Sequence, residues 1–143
     1  IGLPGDQIQF KDGNLFVNNK IIKKKKINNR KDIRCAGNEI DVTEYNEELT
    51  IKKSFNIVYK SKGGMKNSDL YKVPDDHFFF LGDNRDCSSD SRFLTNVGYV
   101  HKNNLVGKAR IIFFSNDTLK GSVLKFWNWG NSLRLDRFFK IIK

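Results

Sequence analysis

Residues 78–92 read FFFLGDNRDCSSDSR, an apolar stretch followed at once by a loop of alternating charges. The loop, from Gly82 to Arg92, contains three aspartates, two arginines and three serines. Carboxylates beside guanidinium groups can form charge-assisted hydrogen bonds within such a loop, which leaves the serine hydroxyls to face other groups. The pattern therefore predicts a buried strand that leads into a self-bracing loop presenting a polar side chain.

The segments around this loop alternate as short β-strands do. Pro4-Gly5 suits the two central positions of a type II turn. Apolar residues at Ile8 and Phe10, a turn signal at residues 11–14 and the apolar run at 15–17 predict a β-hairpin. The sequence has no repeat and no sustained helical heptad, so we predict a mainly β fold.

The 143 residues suffice for one domain with a core, and they carry a net charge of +10. Basic residues are concentrated in residues 11–34, which include Lys23–Lys26, and residues 35–50 are acidic. A basic block can bind nucleic acid or anionic phospholipid headgroups. No aromatic residue interrupts Lys23–Lys26, so nucleic acid is not a predicted partner. The favoured interpretation of this run is a solvated loop or hairpin tip.

The cysteines and histidines give no metal-binding pattern. Cys35 and Cys87 lie far apart in the sequence, and His77 and His101 stand alone. We therefore predict no metal site. A Cys35–Cys87 disulfide is possible in an oxidising compartment, but the favoured prediction is two separate free thiols.

No stretch of the sequence approaches the ~20 apolar residues that cross a bilayer, so we expect the chain as given to be soluble or at most surface-associated. Residues 126–142 combine aromatic and basic side chains, which suits a membrane interface. A last strand or helix packed on the core is an equally good interpretation of this tail.

The loop at residues 82–92 closely resembles the signature loop of the bacterial type I signal peptidases. The opening block Ile1-Gly2-Leu3-Pro4-Gly5-Asp6 is similar to the block that follows the general-base lysine of that family, and residues 105–109 resemble a further family segment. The resemblance implies the coiled β-sheet core shared by signal peptidases and self-cleaving repressor proteases. Residues 1–19 and 73–143 are then the catalytic-core domain, and residues 20–72 are a variable inserted β region.

The resemblance also implies a function. Type I signal peptidases are membrane-bound serine endopeptidases that cleave signal peptides from exported pre-proteins at the outer face of the bacterial cytoplasmic membrane. The implied partners are signal peptides and the phospholipid surface, without a cofactor. The nucleophilic serine and the general-base lysine would lie upstream of Ile1, and no lysine precedes Lys11. We thus expect a C-terminal portion that is inactive alone; the alternative is a non-catalytic binding module with a basic and aromatic surface.

Within the loop, the resemblance gives Ser88 the position of the hydroxyl that orients the catalytic lysine. Asp90 and Arg92 are two residues apart, so in an extended segment they share a face and can form a pair that braces the loop. Asp83 is predicted to pair with Arg92, or with the basic residue that precedes Ile1 in the family. Gly82 is expected to permit a close approach that a Cβ would block. The remaining motif residues are assigned a structural role: Gly2, Pro4, Gly5, Asp6, Asn84, Arg85 and Asp86.

Two other catalytic sets are considered and not favoured. A triad of Ser88, His77 or His101, and Asp90 lacks a nucleophile-elbow pattern. The carboxylate pairs Asp75-Asp76 and Glu47-Glu48 lie in segments that we predict to be solvated turns, so acid–base hydrolysis is not predicted.

Overall fold

The structure is a computed structural model that describes residues 1–50, 53–116, 127 and 129–142, with the backbone alone for residues 30–32, 50 and 131. The chain forms two compact units, Ile1–Leu105 and Val106–Lys143. Antiparallel sheets dominate the described residues, and the helices are single turns. The predicted mainly β fold is confirmed.

The first sheet contains the predicted hairpin. Ile8 lies opposite Val17 and Phe10 opposite Leu15. The Pro4-Gly5 turn is present, because Asp6 N donates to Leu3 O at 2.9 Å while Gly5 has a φ of +83°. The strands are β1 (Gln7–Lys11), β2 (Asn14–Val17), β3 (Lys20–Ile21) and β7 (Tyr71–Lys72), in the order β3-β2-β1-β7.

The second sheet is a long antiparallel meander of β4 (Lys23–Cys35), β5 (Asn38–Thr50) and β6 (Lys53–Lys60). Its first strand begins with Lys23–Lys26, so the prediction of a solvated loop or hairpin tip there is wrong. Lys24 is half-buried, and its ammonium group lies 4.6 Å from the ring centroid of Tyr59 and 5.3 Å from that of Tyr45. These cation–π contacts and the cross-strand pairing explain why this run is ordered as a strand.

The core of the first unit lies between the first sheet and the segment that leads into the charged loop. That segment begins with β8 (His77–Phe78), which pairs with β9 (Val100–His101). Phe79 follows and is fully buried. Gly2 N donates to Phe79 O at 2.7 Å and Phe79 N donates to Gly2 O at 3.0 Å. The core residues are Ile8, Phe10, Leu15, Tyr71, Val73 and Phe79.

The second unit carries the aromatic and basic tail. β10 (Ile111–Ile112) pairs with β11 (Lys140–Ile141), and the helix α1 (Trp129–Ser132) lies between them in sequence. Trp127, Phe139 and Ile141 are exposed. Phe126, which belongs to the predicted interface, lies outside the described residues. None of the described helices has the length and apolar character that a bilayer span requires.

Candidate functional site

The charged loop, residues 82–92, runs alongside the second sheet. Asn84 forms a parallel bridge with Val58 of β6. Val58 N donates to Asp83 O at 2.9 Å, and Arg85 N donates to Val58 O at 2.9 Å. The loop then turns back on itself, because the amide of Ser88 donates to Asn84 O at 2.9 Å.

Ser88 packs directly against Gly82. A Cβ built on Gly82 would overlap both Cβ and Oγ of Ser88, so only glycine leaves space for this hydroxyl. Ser88 is partly buried rather than fully exposed. The close approach therefore fixes where the Ser88 hydroxyl lies relative to the strand that precedes the loop.

Asp90 and Arg92 form a buried ion pair at the end of the loop. Arg92 Nε donates to Asp90 Oδ1 at 2.8 Å, Arg92 Nη2 donates to Asp90 Oδ2 at 2.9 Å, and both side chains are almost inaccessible to solvent. Asp90 Oδ2 also accepts from Gly82 N at 2.8 Å. The pair thus holds the glycine against which Ser88 packs.

Of the two partners predicted for Asp83, Arg92 is not the one that it binds, and the basic residue upstream of Ile1 stays a prediction. Its side chain is exposed, and the carboxylate that pairs with Arg92 is that of Asp90. The physical reason is local: Asp90 is only two residues from Arg92, so its carboxylate meets both the Nε and Nη2 donors without any rearrangement of the chain.

Ser91 joins the two ends of the loop. It is fully buried, its Oγ accepts from Phe80 N at 2.9 Å, and its amide donates to Phe80 O at 3.1 Å. Sequence reasoning gave Ser91 no role of its own. Its position between Asp90 and Arg92, which pair with each other, is a feature of the sequence that could have indicated a buried position.

The side chain of Arg85 extends from the loop to the second sheet. Its Nη1 donates to Glu47 Oε1 at 2.9 Å and to the Tyr59 hydroxyl at 3.1 Å, and its Nη2 donates to Glu47 Oε2. Arg85 is 5% exposed and Glu47 3%. Burial acts to lower the pKa of Arg85, but the hydrogen bonds and charge of Glu47 and Tyr59 outweigh it, so the pKa is raised and the guanidinium stays charged. Burial also raises the pKa of Tyr59.

Glu47 corrects the prediction of a solvated turn at Glu47-Glu48. Both residues lie within β5, where successive side chains point to opposite faces. Glu48 is therefore exposed while Glu47 is buried against Arg85. The acidic composition of residues 35–50 gave no indication of which carboxylate would be buried.

Asp86 forms the next link between the loop and the sheet. Its Oδ2 accepts from Lys60 N at 2.8 Å and its Oδ1 accepts from Met65 N at 2.9 Å. Asp86 thus caps the end of β6 and the turn that follows it.

Cys87 is bonded to Cys35 in a disulfide, which overturns the prediction of two free thiols. The two Cα atoms are 5.7 Å apart and the residues are 52 positions apart in the sequence. Cys35 ends β4 and lies opposite Asn38 of β5, and the disulfide joins it to the loop although the loop pairs with β6, the other edge strand of the sheet. Sequence distance alone could not show that the sheet brings these two residues together.

A cavity of about 340 Å³ lies beside the loop, in the first unit. Its lining is mainly apolar and includes Ile1, Ile57 and Leu81, with Asp83 and Arg85 among its polar residues. The opening block is thus close to the loop, as the bond between Gly2 and Phe79 also shows.

The two histidines lie next to each other. His77 and His101 are opposite each other in β8 and β9, with ring centroids 5.0 Å apart. His77 Nδ1 bonds Asp75 O at 2.8 Å, and His101 Nδ1 accepts from Asn103 N at 3.2 Å. Within residues 1–116, as far as they are described, no hydrogen bond connects either ring to Ser88 or Asp90. The described part of the chain also has no group of three or more potential metal ligands.

The side chain of Asp6 stabilises the opening block, residues 1–6. Its Oδ2 accepts from Leu3 N at 2.8 Å, and its Oδ1 accepts from Asn18 Nδ2 at 2.8 Å. Gly2 has no space for a Cβ, which would overlap Ile8. The block is therefore fixed on the first sheet and on Phe79.

The mainly β core thus holds the opening block beside the charged loop, and these are the two segments whose sequences resemble the type I signal peptidases. The family model described as "Signal peptidase, peptidase S26" matches residues 1–114, and the chain belongs to that family. The predicted family is confirmed.

Several curated relatives are similar over nearly the whole chain. Signal peptidase I of Rickettsia akari and that of Rickettsia rickettsii are each 34% identical to it over 157 residues, and that of Rickettsia typhi is 35% identical over 156 residues. These matches cover 98% of the chain but 56% of each relative. The chain thus spans about half the length of the relatives it matches.

Proposed function

We propose that residues 1–143 are the C-terminal catalytic-core part of a type I signal peptidase, a serine endopeptidase that cleaves signal peptides from exported pre-proteins. In this proposal the nucleophilic serine and the general-base lysine belong to the upstream part of the protein, and residues 1–143 alone are inactive. The loop at 82–92 supplies the hydroxyl of Ser88 to orient the lysine.

The observation that carries the proposal is the antiparallel bridge between Gly2 and Phe79. Extended by three residues toward the amino end, this pairing would bring the two residues that precede Ile1 opposite Leu81 and Gly82. Gly82 is the residue against which Ser88 packs. A lysine just upstream of the opening block, as in the family, would therefore lie beside the Ser88 hydroxyl.

The chemistry requires such a hydroxyl. A lysine has a reference pKa of about 10.4, so burial must make the amine neutral before it can accept a proton from the nucleophile. A neutral amine can still rotate about its last bond. A hydroxyl that accepts one of its N–H groups directs the nitrogen lone pair toward the serine, and the braced loop keeps that hydroxyl in place.

We further propose that the protein acts at the outer face of the bacterial cytoplasmic membrane and that its second unit contacts the phospholipid surface. The support is the exposure of Trp127, Phe139 and Ile141 in the same unit as the basic residues Arg134 and Lys140. Aromatic and basic side chains together favour the headgroup region of a bilayer.

The test uses the longer protein, purified in detergent, and a pre-protein with an intact signal peptide. We expect one cleavage at the end of the signal peptide, identified by the mass of the product, and no turnover by residues 1–143 alone. A longer protein that binds the pre-protein without cleaving it would support the binding module instead. Turnover by residues 1–143 that depends on Ser88 and His77 or His101 would contradict the proposed roles.

A further inference from the structure

The charged loop, residues 82–92, is attached at several independent points to the second sheet, which is the inserted region predicted from the sequence. Two backbone hydrogen bonds join it to Val58, the carboxylate of Asp86 binds two backbone amides, and Cys87 is bonded to Cys35. These contacts come from β4, β6 and the turn after β6. The sheet therefore supports the loop directly and is more than an excursion between two halves of a core.

Glu47 makes the contact that is buried most deeply. It is the residue of β5 that receives both forked donors of Arg85, and both side chains are almost inaccessible to solvent. Tyr59 of β6 accepts a further hydrogen bond from Arg85 at 3.1 Å. An arginine held by a carboxylate in this two-point geometry has a fixed position and orientation.

A continuous set of contacts leads from Glu47 to Ser88. The carbonyl oxygen of Arg85 accepts a hydrogen bond from Arg92 Nη2, and Arg92 is paired with Asp90. Asp90 in turn accepts from Gly82 N at 2.8 Å, and Gly82 is in contact with the Ser88 side chain. On the other side of Arg85, the carbonyl of Asn84 accepts from Ser88 N at 2.9 Å. A shift of Arg85 would therefore move Ser88 from two directions.

We propose that Glu47, a residue of the inserted sheet, is a positioning residue for the peptidase reaction and acts on Ser88 through Arg85. This inference rests on the proposed function. It gives the inserted sheet a part in catalysis that is carried by Arg85, which lines the same cavity as Glu47 and Ile1.

The test is a double-mutant cycle in the longer protein, with kcat and KM measured for signal-peptide cleavage. Glu47→Gln keeps the size of the side chain and removes its charge, and Glu48→Gln is the matched control on the exposed face of the same strand. We expect Glu47→Gln to lower kcat about tenfold with little change in KM, while Glu48→Gln stays within about twofold of the wild type.

The decisive measurement is the same substitution in a Ser88→Ala background. If Glu47 acts through Ser88, Glu47→Gln should have little further effect there, since coupled residues are not additive. A tenfold loss in both backgrounds, or equal rates for Glu47→Gln and Glu48→Gln, would overturn the inference while leaving the proposed function intact. A wild-type protein that cleaves nothing would overturn both.

Tyr59→Phe is the second variant, needed if Glu47→Gln lowers the Tm by more than about 10 °C. It removes only the hydroxyl that accepts from Arg85 and keeps the ring beside Lys24. We expect a smaller loss of kcat that also disappears in the Ser88→Ala background. Loss of kcat that is independent of Ser88 would again overturn the inference.

Discussion

Ser88 is held by the shape of its surroundings rather than by a hydrogen bond to its side chain among the described residues. Its Oγ packs on Gly82, and its amide is bonded to Asn84. The hydroxyl is thus positioned while its hydrogen-bonding capacity stays available. This is the arrangement that a group meant to orient another side chain requires.

Ser88→Ala in the longer protein should lower kcat by about 10- to 100-fold, because a buried amine that loses its acceptor costs about 1–3 kcal/mol. The Tm should fall far less than for Asp90→Ala, since no hydrogen bond among the described residues uses this hydroxyl and the lysine amine is its one proposed partner. Ser89→Ala is the matched control, because Ser89 is exposed and adjacent. If Ser88→Ala cleaves the pre-protein at the wild-type rate, Ser88 is an ordinary turn serine and has no role in catalysis.

Asp90→Ala should reduce stability and rate together. It leaves the buried guanidinium of Arg92 without its carboxylate and Gly82 N without its acceptor. Breaking a buried ion pair costs about 3–5 kcal/mol, which corresponds to a fall in Tm of roughly 10 °C or more. Asp83→Ala, which alters an exposed carboxylate of the same loop, provides the comparison by thermal unfolding. An unchanged Tm for Asp90→Ala would show that the pair does not brace the loop.

Local elements could be predicted from the sequence, and long-range pairings could not. The Pro4-Gly5 turn and the hairpin of β1 and β2 depend on neighbouring residues, so turn chemistry and alternation were sufficient. The partners Glu47 and Arg85 are 38 residues apart, and their meeting depends on the register of β5 and β6. Cys35 and Cys87 are also far apart in the sequence and meet only through the folded sheet, so the sequence did not predict their disulfide.

The disulfide attaches the signature loop to the end of β4, so its loss should affect both stability and activity. For two residues 52 positions apart, the chain-entropy model gives a stabilisation of about 4 kcal/mol. Urea unfolding should therefore show a lower midpoint for the Cys35→Ser/Cys87→Ser variant and for wild type treated with dithiothreitol. The reductant should have no effect on the double variant. A wild-type midpoint that is the same with and without reductant would contradict the expected stabilisation.

Among the described residues, the most exposed aromatic side chains belong to the second unit (Phe113, Trp127 and Phe139), and the lysine run belongs to the first. This separation allows the membrane proposal to be tested by substitution. Vesicles that contain phosphatidylglycerol should bind the protein in sedimentation, and Trp127→Ser/Phe139→Ser should weaken that binding. Lys23→Ser/Lys25→Ser should have the smaller effect. The opposite ranking would assign membrane binding to β4 and contradict the role of the second unit.

The attachment of the loop to the second sheet also affects the order in which the chain can fold. Cys35, Glu47, Val58, Tyr59, Lys60 and Met65 all precede the loop in the chain. A polypeptide emerges with its amino end first, so the sheet can form before the loop is available. The loop can then pack against a sheet that is already folded. A polypeptide that has emerged only as far as residue 80 therefore contains the sheet that supports the loop but does not yet contain Ser88, so the role proposed for Ser88 depends on a support that is made before it.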